Sequence, residues 1–303
     1  MKNLLFLLLS SVICSQAFSW NTDGHVLIVD LAVDNLSAEQ ARDFERISRR
    51  LENTFNTEDR LFLLRNYGSS SDLAKIAAFP DRIRNQSIKE VFANWQLEVP
   101  APLAHLADQN SANWHYKNHP YYSSTDEAPQ CDISDPINIA SIFPLLIESY
   151  DQASEDVERA ILLSFIIHMV ADSHQPMHSV SRVDKDCNHD LGGNLYCVAE
   201  PGIGGRCDEN LHSLWDGAVG LFDSVDTYPE LYDLHDNTRV PVPATDVYDM
   251  DEWLSEGYGS ARLIYTLREN KRPDDFYIED GQHIAYTRVM QAASRLAEVL
   301  KSL

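Results

Sequence analysis

Basic residues are scarce in this 303-residue chain, which has 24 Lys and Arg against 47 Asp and Glu and a formal net charge of -23. A protein that binds nucleic acid through a basic surface would show the opposite balance. The sequence therefore excludes a basic-groove nucleic-acid binder. If the substrate carries phosphate, its charge must be met in another way, and bound divalent cations are one such way.

Long apolar runs are also lacking. After residue 19, no stretch reaches the roughly 20 apolar residues of a membrane-spanning helix. The first nineteen residues combine a positive charge at Lys2, an apolar run over 4–13 and a small-x-small end at 17–19. This pattern is typical of a cleaved signal peptide. We therefore expect a secreted or periplasmic protein that begins at Trp20 and has no membrane span.

Cysteine is rare as well, and no C-x-x-C pair occurs. Cys14 lies within the predicted signal peptide, and an even number remains for the mature protein: Cys131, Cys187, Cys197 and Cys207. In an oxidising compartment such cysteines are expected to form disulfides, because a Cys-type zinc site would need a closer ligand spacing. The sequence does not determine which cysteines pair.

Strand-like alternation and internal repeats are absent from the sequence, whereas helical periodicity is widespread. It is clearest over 137–150, 155–172, 251–269 and 279–301. A shorter helical pattern over 72–79 is expected to end at Pro80, and the acidic stretch 223–250 is expected to be a surface loop. Since 44% of the residues are hydrophobic, the chain can bury a substantial core. We expect one all-α domain over residues 20–303.

The strongest chemical pattern is a histidine and an aspartate four residues apart, which occurs twice. His168 and Asp172 follow the apolar run 161–167, and His212 and Asp216 lie among Leu and Trp. Residues i and i+4 share one face of a helix. Imidazole and carboxylate groups in an apolar interior need a partner. Two such helices therefore predict a metal site inside a helical bundle.

Further candidate ligands lie along the chain. Pro176 is expected to break or kink the helix and to redirect His178. The full set exceeds the needs of one zinc ion and predicts a polynuclear site if the side chains converge: His25, Asp81, His115, His168, Asp172, His178, His212 and Asp216. On the residues alone, a satisfied core histidine or a turn-capping aspartate remains an alternative at single positions. The other histidines, including His174, are expected to be structural or to lie on the surface.

These motifs resemble the zinc-dependent single-strand nucleases and 3′-nucleotidases of the S1/P1 nuclease family. The resemblance rests on six segments in family order: Trp20-x-x-x-Gly24-His25, Asp81-x-x-Arg84, His115-Tyr116-x-Asn118, His168-x-x-x-Asp172-x-x-Gln175-Pro176-Met177-His178, Gly192-Gly193-Asn194 and Asn210-Leu211-His212-x-x-Trp215-Asp216. It implies a monomer with the all-α fold of the phospholipase C/P1 nuclease type and three zinc ions at the bottom of a cleft.

The resemblance also implies a ligand set for each ion. The sets are Asp81, His115, His168 and the bridging Asp172 for the first; His25, Asp172 and the α-amino nitrogen and carbonyl oxygen of Trp20 for the second; and His178, His212 and Asp216 for the third. Cleavage after residue 19 turns the nitrogen of Trp20 from an amide into an amine. We therefore expect the uncleaved precursor to lack the second zinc or to bind it weakly.

The substrate roles that the resemblance implies complete the prediction. Asp81 would orient the attacking water, and Arg84 would bind phosphate oxygens. Tyr116 would stack on a base, while Asn118 and Asn194 would contact the substrate. A stacking pocket needs an unpaired base, which favours single strands. The expected reaction is hydrolysis of single-stranded DNA or RNA to 5′-phosphate products, with 3′-nucleotides as further substrates.

Two alternatives remain open on the sequence. One is a zinc-dependent phospholipase C, but its ligands tend to end in His-x-x-x-Glu, whereas this chain has His212-x-x-x-Asp216. The other is a zinc-binding protein without catalytic activity, whose ions would have closed coordination and no water ligand.

Overall fold

The computed structural model describes residues 20–122, 130–200, 202, 207–222, 242 and 246–303. The predicted signal peptide and most of the predicted acidic loop, residues 223–250, lie outside the described residues. None of the described helices combines the length and the apolar character that crossing a bilayer requires.

The described chain is mostly helical, which confirms the all-α prediction. The first half contains α1 (Thr22–Val33), α2 (Ala38–Glu52), α3 (Thr57–Tyr67), α4 (Asp72–Lys75), α5 (Phe79–Ile83) and α6 (Ile88–Ala93). The second half contains α7 (Ile139–Gln152), α8 (Asp156–Asp172), α9 (Leu211–Asp216), α10 (Met250–Tyr258), α11 (Ala261–Ile264) and α12 (Asp275–Ser302). Short 3-10 helices cover Ala101–Leu106, Ala112–His115, Pro176–His178 and Ala218–Gly220.

Helix α8 lies at the centre of the core. Every residue from 160 to 172 is buried, as expected for a helix that is apolar on all sides. Helices α1, α2, α5, α7 and α12 pack against it. The last turn of α8 carries His168 and Asp172, so the packing of the core determines where these two side chains lie.

Two three-residue strands join the segments that follow two predicted ligands. Strand β1 (His119–Tyr121) pairs in parallel with β2 (Val180–Arg182), with His119 opposite Val180. The sequence does not predict this pair, because three residues are too few to show alternation. The pairing holds the segment after His115 against the segment after His178.

The four described cysteines form two disulfides, Cys131–Cys187 and Cys197–Cys207. The alternative of a cysteine zinc site therefore does not apply. The first bridge spans 56 residues of sequence and the second spans 10. The first bridge joins the loop after β1 to the loop after β2.

Prolines affect two helices differently from the prediction. Pro80 does not end a helix; it lies in the first turn of α5, where the missing N–H is not needed. Helix α8 ends at Asp172, four residues before Pro176, and Pro176 begins a separate 3-10 helix. The predicted helix over 251–269 is divided into α10 and α11 around Gly259 and Ser260.

Candidate metal centre

The first group of candidate ligands combines the end of α8 with α5 and the 3-10 helix Ala112–His115. His115 Nδ1 lies 2.8 Å from His168 Nε2, and both nitrogens lie 3.7 Å from Asp81 Oδ1. Asp172 Oδ2 lies 3.0 Å from each of the two nitrogens. Donors bound to zinc at its usual bond lengths lie about 3.3–3.6 Å apart at the corners of a tetrahedron. The observed separations of 2.8–3.7 Å lie on both sides of this range, so the four side chains are close enough together to share one ion after small adjustments.

The second group forms where α1 crosses the end of α8. His25 is completely buried, its Nε2 lies 3.4 Å from Asp172 Oδ1, and its ring stacks on His168 with centroids 4.1 Å apart. Beside it, Gly24 leaves room for the ring of Phe222, because a Cβ there would lie 2.7 Å from one of its ring carbons. Asp172 thus presents one oxygen to each of the first two groups.

Trp20 is fixed between the two helices that carry the aspartates. Its indole N–H donates to the carbonyl of Ala171 at 3.0 Å, and its side chain is fully buried. The N–H of the next residue, Asn21, donates to the carbonyl of Asp216 at 3.0 Å. The backbone of Trp20 is therefore held between the end of α8 and the end of α9.

The third group consists of His178, His212 and Asp216. His212 Nε2 lies 3.6 Å from Asp216 Oδ1, and the rings of His178 and His212 are 5.2 Å apart. His178 Nδ1 also lies 3.8 Å from Asp172 Oδ1. This contact places the third group next to the first two, so all eight predicted side-chain ligands belong to one continuous centre.

Hydrogen bonds orient several of these ligands. His168 Nδ1 donates to the carbonyl of Ala77 at 2.8 Å, and His212 Nδ1 donates to the carbonyl of Gly192 at 2.6 Å. Each bond leaves Nε2 directed at the centre, as in metal sites whose histidines are held by a carbonyl. The side-chain amide of Gln175 donates to Asp216 Oδ1 at 2.7 Å.

Gly192 can present its carbonyl because it lacks a side chain. Its φ is +63°, which favours glycine, and a Cβ would lie 3.2 Å from the carbonyl oxygen of Met177. The Gly192-Gly193-Asn194 motif thus positions a carbonyl that orients a candidate ligand.

Several polar atoms of the centre have no hydrogen-bond partner among the described residues. They include both ring nitrogens of His25, Asp172 Oδ1 and His178 Nδ1, all of which are buried. Buried polar atoms without partners are rare because they lose their hydration without compensation. Nitrogen and carboxylate oxygen are also the donors that zinc accepts. The residues present therefore fit a group of bound cations.

Electrostatics keeps most of the histidines neutral. Burial holds the pKa of His25 well below its usual range, and burial lowers the pKa of His178 to about 3. Burial also lowers the pKa of His212. Neutral imidazoles keep a lone pair available for a cation at neutral pH. Against the effect of burial, His168 and His178 lower the pKa of Asp172, so this carboxylate is charged.

A cleft of about 890 Å³ leads to the centre, and His115, His178 and His212 are among the residues that line it. The predicted substrate residues line it too: Arg84, Tyr116, Asn118 and Asn194. The disulfide-bonded Cys187 and the acidic residues Asp132 and Asp135 line it as well. The structure therefore brings the predicted substrate residues and the three groups of ligands to one cavity.

The groups that orient the ligands are not evident from the sequence. The residue type of Gln175 does not show that its side chain donates to Asp216. The carbonyls of Ala77 and Gly192 are backbone atoms, for which residue type gives no signal. His174 is completely buried and belongs to none of the ligand groups, as expected.

Comparison with protein-family models matches residues 20–303 to the model described as S1/P1 nuclease. The match covers all of the described residues. Comparison with curated proteins found no match.

Proposed function

Because the chain belongs to the S1/P1 nuclease family, we propose that it is an exported, monomeric zinc-dependent nuclease. Its proposed reaction is hydrolysis of single-stranded DNA and RNA to 5′-phosphate products, with 3′-nucleotides as further substrates. The main support is the convergence of three buried groups of His and Asp side chains at one cleft. Residues 1–19 are proposed to be a signal peptide, and residues 20–303 the nuclease domain.

The proposed cofactor is three zinc ions. One would be held by Asp81, His115, His168 and Asp172, a second by His25, Asp172 and the backbone of Trp20, and a third by His178, His212 and Asp216. Bound zinc supplies positive charge for phosphate oxygens and lowers the pKa of water near neutrality. The unpartnered buried atoms of His25, Asp172 and His178 support this assignment.

The chain's own residues would bind and orient the phosphate. Arg84 lines the cleft three residues after Asp81. Its planar guanidinium can donate two parallel hydrogen bonds to phosphate oxygens, and these bonds strengthen as negative charge builds up. Asp81 is proposed to accept a hydrogen bond from the attacking water and so to aim it at phosphorus.

Other residues of the cleft would bind a base. The Tyr116 hydroxyl donates to Asn113 Oδ1 at 3.0 Å, which fixes the ring of Tyr116 at the cleft wall. Asn118 Oδ1 is buried and has no partner among the described residues, so it is available to accept a hydrogen bond from a base. Stacking is worth about 1–3 kcal/mol per base and requires an unpaired base. These features support a preference for single strands.

The proposal is tested with purified protein that begins at Trp20. Single-stranded and double-stranded DNA, RNA, 3′-AMP and phosphatidylcholine should each be assayed with and without a chelator. We expect cleavage of single strands and 3′-AMP, loss of activity with the chelator and recovery with zinc. Asp81→Asn should abolish turnover, whereas the exposed Asp280→Asn on α12 should not. Cleavage of phosphatidylcholine without cleavage of nucleotides would contradict the proposal.

A further inference from the structure

Two buried arginines lie behind the metal centre. Arg288 and Arg295 on α12 are only 4% and 5% exposed, and Glu256 on α10 is their shared carboxylate partner. Burial lowers the pKa of Arg288 to about 10, so Arg288 stays charged at neutral pH. Buried charges cost several kcal/mol each unless they are well paired. A site with two arginines and one glutamate therefore needs other acceptors.

Arg288 finds these acceptors mainly on the backbone. Its five N–H donors are matched by five acceptors: the carbonyls of His174 (3.2 Å), Ser173 (3.3 Å) and Trp253 (2.7 Å), and the side chains of Gln291 (2.8 Å) and Glu256 (2.5 Å). The side chain thus connects α12 with α10 and with the end of α8. A lysine, with three donors on one nitrogen, cannot reproduce this arrangement.

The carbonyls of Ser173 and His174 belong to the turn that immediately follows Asp172. Gln175 lies in the same turn, and its side-chain amide donates to Asp216 Oδ1 at 2.7 Å. His178 follows in the 3-10 helix Pro176–His178. One short turn therefore determines the positions of ligands from all three groups, through Asp172, Asp216 and His178.

Arg295 holds the same turn through the side chain of His174. His174 Nδ1 donates to the carbonyl of Val170 at 2.7 Å, which leaves Nε2 to accept from Arg295 Nη1 at 2.9 Å. Arg295 also makes two bonds to Glu256 and packs over the ring of Trp253. The turn is therefore held by both arginines, although only Arg288 binds its backbone.

We propose that Arg288 is a positioning residue for the metal centre. By binding the carbonyls of Ser173 and His174, it fixes the distance between the cations held through Asp172 and the cation held through Asp216 and His178. The inference rests on the proposed function for the identity of the cations. It adds that the last helix, more than 100 residues after Asp172, sets the geometry in which they bind.

The test compares zinc binding by Arg288→Lys and Arg288→Met with that of the unchanged protein. Competition with a chromophoric chelator gives the zinc affinity, and the visible spectrum of the cobalt(II) form reports the ligand geometry. Losing a group that orients metal ligands costs roughly 10- to 100-fold in affinity. We expect a loss of this size, larger for Met than for Lys, together with an altered cobalt spectrum, all measured far below the unfolding temperature.

Gln291→Met is the matched control. It lies one helical turn from Arg288 and removes one of its acceptors, but it leaves both bonds to the turn in place. We expect a lower unfolding temperature with unchanged zinc affinity and an unchanged cobalt spectrum. Equal zinc affinity in all variants, or equal losses in Gln291→Met and Arg288→Lys, would show that Arg288 serves only core stability and would overturn the proposal.

The effect of Arg288 on zinc binding can be distinguished from misfolding and from a loss of turnover. If Arg288→Met does not fold, Arg288→Lys decides the question, because lysine keeps the charge near Glu256. Zinc affinity and the cobalt spectrum require no turnover. An unchanged protein that binds zinc but cleaves no nucleic acid would therefore refute the proposed nuclease, while the effect of Arg288 on binding would still be measured.

Discussion

Cation binding should release protons from the centre, in a number that falls as pH rises. Burial disfavours the charged form of His168, but Asp172 and Asp81 outweigh this effect and raise the pKa of His168 to about 9. Burial raises the pKa of Asp216 well above its usual range. Both groups must lose a proton before they bind a cation. His178 contributes none, because burial lowers its pKa to about 3.

The pKa of His168 determines how strongly cation binding depends on pH. Its pKa of about 9 lies two units above pH 7, so loss of its proton subtracts about 2.7 kcal/mol from the binding free energy of the cation at pH 7. Because a proton and a cation compete for Nε2, affinity should rise about tenfold per pH unit between pH 7 and 9 and then level off. In the cation-free protein, the same raised pKa stabilises the fold fully below pH 6.5, and this contribution is lost as pH rises through about 9.

Calorimetric titration with zinc in two buffers of different ionisation enthalpy measures the protons released. We expect His168 to release about one proton at pH 7 and almost none well above pH 9. Asp216, whose pKa burial raises, adds a proton wherever it is still protonated before the cation binds. Asp216→Asn should remove the contribution of Asp216 and leave the step assigned to His168. A binding enthalpy that does not depend on the buffer at pH 7 would mean that His168 is neutral in the cation-free protein, and the electrostatic reasoning would be wrong.

Three other outcomes follow from single contacts. Gln175→Leu removes the donor to Asp216 and should weaken zinc binding by roughly 10- to 100-fold in a chelator competition. Burial, together with Arg288 and Arg295, holds the pKa of His174 well below 6.5; since only the unfolded chain binds a proton there, stability is complete above pH 6.5 and falls below it, by up to about 1.4 kcal/mol per pH unit. Urea unfolding should show this loss, and His174→Asn should remove the share of His174, while the buried His25, His178 and His212 keep theirs. An alanine placed before Trp20 turns its amine into an amide and should lower the zinc content from three towards two by metal analysis.

Each of these outcomes has a result that contradicts it. Unchanged zinc affinity in Gln175→Leu would mean that the bond to Asp216 does not orient this ligand. Equal acid sensitivity with and without His174 would place the titrating group elsewhere. Three tightly bound zinc ions in the extended protein would exclude the amine of Trp20 as a ligand.

Local periodicity was enough to predict the pairs His168/Asp172 and His212/Asp216. The spacing of four residues fixes their relative positions as soon as the helix forms, whatever the rest of the fold. The apolar run before His168 also predicted that the pair would be buried. These inferences needed no knowledge of distant contacts, and the positions of α8 and α9 confirm the helices on which they depend.

The remaining features depend on contacts between distant segments. Nothing in the residue types shows that Ala77 offers its carbonyl to His168, since every residue has a carbonyl. The pairing of Cys131 with Cys187 was likewise open, because four cysteines can pair in several ways. The helical pattern over 279–301 likewise does not show that Arg288 binds a turn more than 100 residues earlier in the chain.

The cleft explains how a protein of acidic composition could bind the proposed polyanionic substrate. Of the described residues that line it, Arg84 is the only Lys or Arg, while Asp132 and Asp135 add negative charge. If side chains alone supplied the charge of this cavity, the cavity would repel a polyanion. Three divalent cations would add six positive charges where the scissile phosphate must lie. At this short distance, salt does not screen the attraction between the cations and the phosphate. Binding would then be concentrated on the phosphate that reacts, and the acidic surface would keep the rest of the strand and the anionic products from adhering elsewhere.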